Sequence, residues 1–197
     1  TEPLLKTAVR RMCGGKTPGP SGWTEELIRD AITQETEADW LALLSDIASA
    51  SFDPDSTRLL RRGRLLGIPK PDNGVRPIAM GEAFVKVAAR LLMRQRPEIS
   101  SAKAVGPDQY AFQSCGAEKI VHKVRHLLRC SPLNHALLVD CRNAFNSVRR
   151  KAIAQRLGTE EVLGPLRALF NSMYVEASEL LVKGDGIDCD VVLGTEG

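Results

Sequence analysis

The sequence predicts an α+β protein, mostly helical, with short antiparallel β-hairpins and a small sheet. Three observations point there. Apolar residues recur at spacings of three and four, as in Trp40, Leu43, Leu44, Ile47 and Ala48, the mark of one-sided helices. Two pairs of short β-type runs flank turn sequences, Pro71-Asp72-Asn73-Gly74 and Gly184-Asp185-Gly186. A further run, Ala136 to Val139, is wholly apolar and ends in one acid, Asp140. The 197 residues have near-average composition, enough for one sizeable core or two small ones.

Residues 3–12 form a short amphipathic helix in this reading, with Leu4, Leu5, Ala8 and Val9 on one side. The glycines and prolines of residues 13–23 then forbid regular structure. Thr24 caps a helix whose first turn carries Glu25 and Glu26, where negative charge is favoured. Leu27, Ile28 and Ala31 are its apolar side. Glu35 to Ala50 is a second helix, and Ser51 to Thr57 a polar turn. Leu65 to Ile68 and Val75 to Ile78 are the strands of a hairpin. Gly81 to Arg96 is helical, with Phe84, Val87, Ala88, Leu91 and Leu92 inward and a basic stripe of Lys86, Arg90 and Arg94. Residues 97–108 are loop.

Ala117 to Arg129 is a helix with Ile120, Val124, Leu127 and Leu128 inward. Ala136 to Val139 reads as a buried strand that delivers Asp140 to its exposed end. The same wording equally serves a chain turning into a helix. The next segment reads as one helix, with Val148, Ile153 and Leu157 packing over the sheet. Glu160 to Tyr174 is a further helix, and residues 177–183 and 187–193 a second hairpin.

The bulk numbers exclude several classes. Apolar content is too high for a disordered chain. No apolar run approaches the about 20 residues that span a bilayer, so no membrane is expected. The first residues are mixed and charged, unlike a secretory leader. The missing initiator Met implies a segment of a larger chain. Five scattered cysteines without a CxxC pair favour free thiols in a reducing compartment. His122 and His126 share a helical face, but no third ligand is spaced to join them. Net charge is only +3, yet Arg58, Arg61, Arg62, Arg64, Lys70 and Arg76 fall within nineteen residues, opposed only by Asp72. This is a solvated basic hairpin or a phosphate-binding one.

The wording of four blocks adds to this. Lys16-x-Pro18-Gly19-x-Ser21-Gly22, Ile68-Pro69-Lys70-x-x-x-Gly74-x-Arg76-Pro77-Ile78, Gln109-x-Ala111-Phe112 and Asp140-x-x-x-Ala144-Phe145-Asn146-x-Val148 occur in this order. They resemble blocks of the reverse transcriptases of non-LTR retrotransposons and group II introns. Ser21 and Ala111 stand where that family usually has Asp and Gly. The resemblance implies the fingers and partial palm of a right-hand polymerase. Residues 1–60 would be a helical extension leading into the fingers, 61–130 the fingers, and 131–197 a partial palm. Gly194 to Gly197 resembles only the start of the family's G-x-x-Q-G block.

The family's roles carry over residue by residue. Asp140 would be the catalytic, metal-binding carboxylate, with the Cys141 backbone carbonyl completing a metal shell. The cofactor would be two Mg²⁺ ions, with Mn²⁺ the alternative. Lys70, Arg76, Cys141 and Phe145 would bind the incoming dNTP, the Phe145 ring barring a ribose 2′-hydroxyl. Lys16, Arg61, Arg62, Arg64, Gln109 and Tyr110 would contact an RNA template and a DNA or RNA primer. Tyr110 and Phe112 serve equally well as core aromatics.

The family's second metal block, an aromatic-x-Asp-Asp turn, does not occur in these residues. The chain alone is therefore expected to show no or negligible polymerase activity. Its partner would be the rest of its own polypeptide or a larger ribonucleoprotein assembly. The alternative is a catalytically inactive, retroelement-derived RNA-binding or scaffold protein. An unrelated soluble α+β protein is the third reading. The resemblance implies a nuclear location, or a mitochondrial one for an organellar link.

Overall fold

A computed structural model describes Leu5, Val9 and residues 14–71, 73–100, 109–111, 113–141, 144–183 and 189–194. The mixed α+β class holds. Helices α1 (Glu25–Ala31), α2 (Glu37–Ser49) and α3 (Pro54–Arg61) lead into strands β1 (Gly63–Pro69) and β2 (Val75–Gly81). Helix α4 (Ala83–Gln95) and a 3-10 turn (Pro97–Ser100) follow. Then come α5 (Gly116–Cys130), the short α6 (Ala144–Ser147) and α7 (Arg150–Thr159). A 3-10 segment (Glu161–Leu166), α8 (Arg167–Tyr174), β3 (Ser178–Lys183) and β4 (Cys189–Gly194) complete the described elements.

One mixed sheet has the order β2-β1-β3-β4. Both hairpins expected from the sequence are present as antiparallel pairs. They are joined by a parallel pairing, Gly63 to Leu65 against Leu180 to Val182, which the sequence did not foretell. Gly63 suits this joint, because a Cβ there would lie 3.1 Å from the Leu180 side chain. The core lies between helices. Ile28, Leu44, Ile47, Val87, Ala88 and Leu91 pack with Leu169 and Met173, and Leu5 and Val9 join them. Trp40 belongs to this core. Its ring stacks on Phe84 at 6.2 Å, and its indole N–H donates to the Ala31 carbonyl. Burying such rings supplies more apolar area than any other side chain here offers.

Several expectations need correction. Residues 54–57 are not turn: Asp53 accepts from the Asp55 and Ser56 N–H groups and starts α3, with Pro54 in the first turn, where its missing N–H costs nothing. The Ser56 side chain first, and then the Ser56 and Asp55 N–H groups, hold the Asp53 carboxyl below its ordinary value. Leu27 is exposed, while Glu25 on the same helix is buried. The helix expected after Asp140 breaks at Val148 and Arg149, and only Leu157 of its apolar set is buried. Pro165 lies in a 3-10 segment rather than an α-helix, consistent with its missing N–H.

The largest correction concerns Ala136 to Asp140. This run is not a strand, and Leu137, Leu138 and Val139 are 89%, 90% and 76% exposed. An extended apolar segment becomes a strand only when a neighbour completes its ladder. None of β1 to β4 has it as a neighbour. The apolar side of α5 is also largely uncovered: Ile120, Leu127 and Leu128 are 45%, 48% and 42% exposed. The turn at 184–188, most of the first helix, and Phe112 lie outside the described residues.

Candidate functional site

The β1–β2 ladder runs from Gly63↔Gly81 to Pro69↔Val75, so it projects its far end as a rigid ribbon. Lys70 and Arg76 both sit at that end. The Lys70 N–H donates to the Gly74 carbonyl at 2.8 Å, and Asn73 takes the left-handed conformation (φ 59°) that closes the turn. Arg76 is exposed and Lys70 half-buried. A fork and a point charge therefore stand together at the hairpin tip, a pairing suited to phosphate oxygens.

The base of the same hairpin carries the Lys16–Gly22 loop. Ser21 donates from its N–H and its hydroxyl to the two carboxylate oxygens of Glu82, at 2.9 and 2.5 Å. Glu82 is 4% exposed and directly follows β2. Gly19 packs against the backbone of Gly81 and Glu82, where a Cβ would come within 2.9 Å of the Gly81 carbonyl oxygen. Gly22 uses positive φ (81°) to leave the loop. Glu25, also 4% exposed, receives Lys16 and Arg90, each at 3.2 Å. A buried carboxylate is tolerated only when so answered. Lys16 thus anchors the loop while its side chain stays 46% exposed.

The basic run divides in two. Arg61, 9% exposed, pairs with Glu176; Arg62 and Arg58 grip the two oxygens of Glu179 at 2.7 and 2.6 Å. Hydrogen bonds from Arg58 first, and Arg62 second, hold the Glu179 carboxyl below its ordinary value. These pairs tie α3 to the start of β3. Arg64 lies on β1 opposite Met80 and Leu181, half-buried.

Gln109 and Tyr110 form a tight turn on the entrance to α5. The Ala111 N–H donates to the Gln109 side chain at 2.9 Å, and the Gln113 N–H to the Tyr110 carbonyl at 3.0 Å. Gly116 lets that carbonyl approach, since any Cβ would collide with it. Lys123 stands over the Tyr110 ring, 5.6 Å from its centre.

Asp140 and Cys141 are exposed, and Cys141 is a free thiol. Phe145 lies on α6, its side chain outside the described residues. Among the described residues no three His, Cys, Asp or Glu side chains converge as metal ligands. Asp140 with the Cys141 carbonyl does not by itself fit two Mg²⁺ ions, which need several oxygen ligands each. Periodicity missed Glu25, Glu82, Glu176 and Glu179. Each is an acid that would be read as solvated until its distant cation or hydroxyl is known.

No protein-family model matches the sequence. The 132 kDa protein of the retrotransposable element SLACS from Trypanosoma brucei gambiense is 25% identical over 198 residues, covering 100% of this chain. The chain is thus similar along its whole length to a retroelement protein. It spans 16% of that relative's length. No described helix is long and apolar enough to cross a membrane.

Proposed function

We propose that the chain is the fingers and first part of the palm of an RNA-directed DNA polymerase, within the boundaries given by the four blocks. The observation that carries this reading is the order of those blocks along a chain similar, end to end, to a retrotransposable-element protein. Catalysis of nucleotide addition is mostly positioning and charge neutralisation. In this reading Arg76 forks onto the triphosphate and Lys70 adds a point charge, both from a tip whose root is fixed by Glu82. Phe145 excludes the 2′-hydroxyl. Asp140 offers one carboxylate, and other chain segments supply the remaining metal ligands.

The test is primer extension on an RNA template by a polypeptide extended to include an aromatic-x-Asp-Asp turn. Asp140→Ala abolishes extension if the reading is right. Extension retained by that variant rejects it.

A further inference from the structure

We propose that the cleft between α3 and α8 binds a small carboxylic acid on one edge of the Arg61 guanidinium. Arg61 ends α3, and its side chain is only 9% exposed. Its Nη2 meets the Glu176 carboxylate, but among the described residues its buried Nε–H has no hydrogen-bond partner. Nε and Nη2 form one edge of the guanidinium, a fork that grips a carboxylate with two parallel hydrogen bonds. Glu176 thus uses half of a fork built for two. A buried donor left unmet is costly, so a carboxylate that takes both positions has the advantage over Glu176.

The cleft has the size and lining for such a ligand. It offers about 260 Å³, below the range of drug-sized sites. Phe52, Pro54 and Val175 supply apolar walls, and Thr57 and Asn171 add polar groups beside Arg61. Glu176 is fitted to leave. Its side chain is 71% exposed, where an ion pair contributes little. Its backbone stays in place without that pair, because Arg150 donates to the Tyr174 and Glu176 carbonyls at 3.0 and 3.2 Å. Glu176 is therefore an internal stand-in for the ligand's carboxylate. A guanidinium so deeply set suits a ligand that enters a cleft, not a strand laid across a surface. Nothing in this cleft depends on what the hairpin tip binds.

The experiment is a titration of the 197-residue chain with benzoate, followed by NMR. The Arg61 Nε–H signal reports the fork, and the Asn171 and Ser172 amide signals give the affinity in every variant. Benzoate should move the Nε–H signal; benzamide, its uncharged counterpart, should not. Glu176→Gln should bind benzoate about two- to fivefold more tightly, the reach of an exposed ion pair. Arg61→Lys keeps the charge but loses the fork, and should bind at least about tenfold more weakly. Should Arg61→Lys fail to fold, the gain in Glu176→Gln decides, because an ion pair of purely structural role predicts no gain. A Glu176→Gln chain that binds benzoate no more tightly than the parent overturns the proposal. So does an Nε–H signal that benzoate leaves in place, or one that benzamide moves equally. Inorganic phosphate that moves it more than benzoate does at equal concentration overturns the carboxylate assignment.

Discussion

Gly19→Ala should loosen the Lys16–Gly22 loop from the root of the β1–β2 hairpin. The added Cβ would lie 2.9 Å from the Gly81 carbonyl oxygen and 3.0 Å from the Glu82 Cα, where ordinary contact begins at 3.4 Å. These are backbone atoms and cannot rotate away, so about half an ångström must come from moving the loop. Gly19 does not use positive φ, so the strain is contact alone. Overpacking of this kind costs about 1–3 kcal/mol. The displacement also stretches the Ser21–Glu82 bonds, and a hydrogen bond to a charged group contributes about 1.5–3 kcal/mol. A combined loss of about 3 kcal/mol lowers Tm by about 6–12 °C for a chain of this size. Urea unfolding followed by circular dichroism measures it. The sharper check is a double-mutant cycle. Ser21→Ala should cost about 1.5 kcal/mol or more in the parent but less than about 0.5 kcal/mol in the Gly19→Ala background, because the bond is already lost. A Gly19→Ala chain within about 0.5 kcal/mol of the parent, or full additivity, would refute the close approach.

Other outcomes follow from the same contacts. Glu179 has a folded value depressed from 4.5, so it contributes stability that is complete above about pH 4.5 and is lost as pH falls through the depressed value. Glu179→Ala should flatten that acid arm in urea midpoints taken from pH 6 down to pH 3; an unchanged arm would place the linkage elsewhere. In the extended polypeptide, Phe145→Ala should raise ribonucleotide incorporation, and unchanged sugar discrimination would discard the gate. Arg76→Ala there should raise the nucleotide KM by about tenfold or more, the value of one charged hydrogen bond; a change in template affinity alone would reassign it.

Features governed by neighbouring residues were readable from the chain. Pro71 to Gly74 specifies a turn by itself, so the first hairpin lies within three residues of its expected bounds. Thr24 was read as a cap, and its hydroxyl does accept the Leu27 N–H at 3.1 Å. Features that depend on distant partners were not readable. Glu82 is buried because Ser21, 61 residues earlier, answers it. Ala136 to Val139 has the composition of a strand, but pairing is a property of two segments. Asp53-Pro54 is a legible start signal for α3, but the helix has no buried residue, so no apolar stripe marks it in the sequence. At the candidate site, the hairpin position of Lys70 and Arg76 was legible, while the pairing of Arg61 and Arg62 with Glu176 and Glu179 was not.

The parallel joint between β1 and β3 has a consequence for biosynthesis. Arg58 and its Glu179 partner are 121 residues apart. At about 5–20 residues per second, a ribosome needs about 6–24 s to deliver the second after the first. Throughout that interval the β1 edge of the nascent hairpin lacks its β3 partner and is open to mispairing. Slowing translation after residue 81 should therefore lower soluble yield, and co-expressed chaperones should restore it.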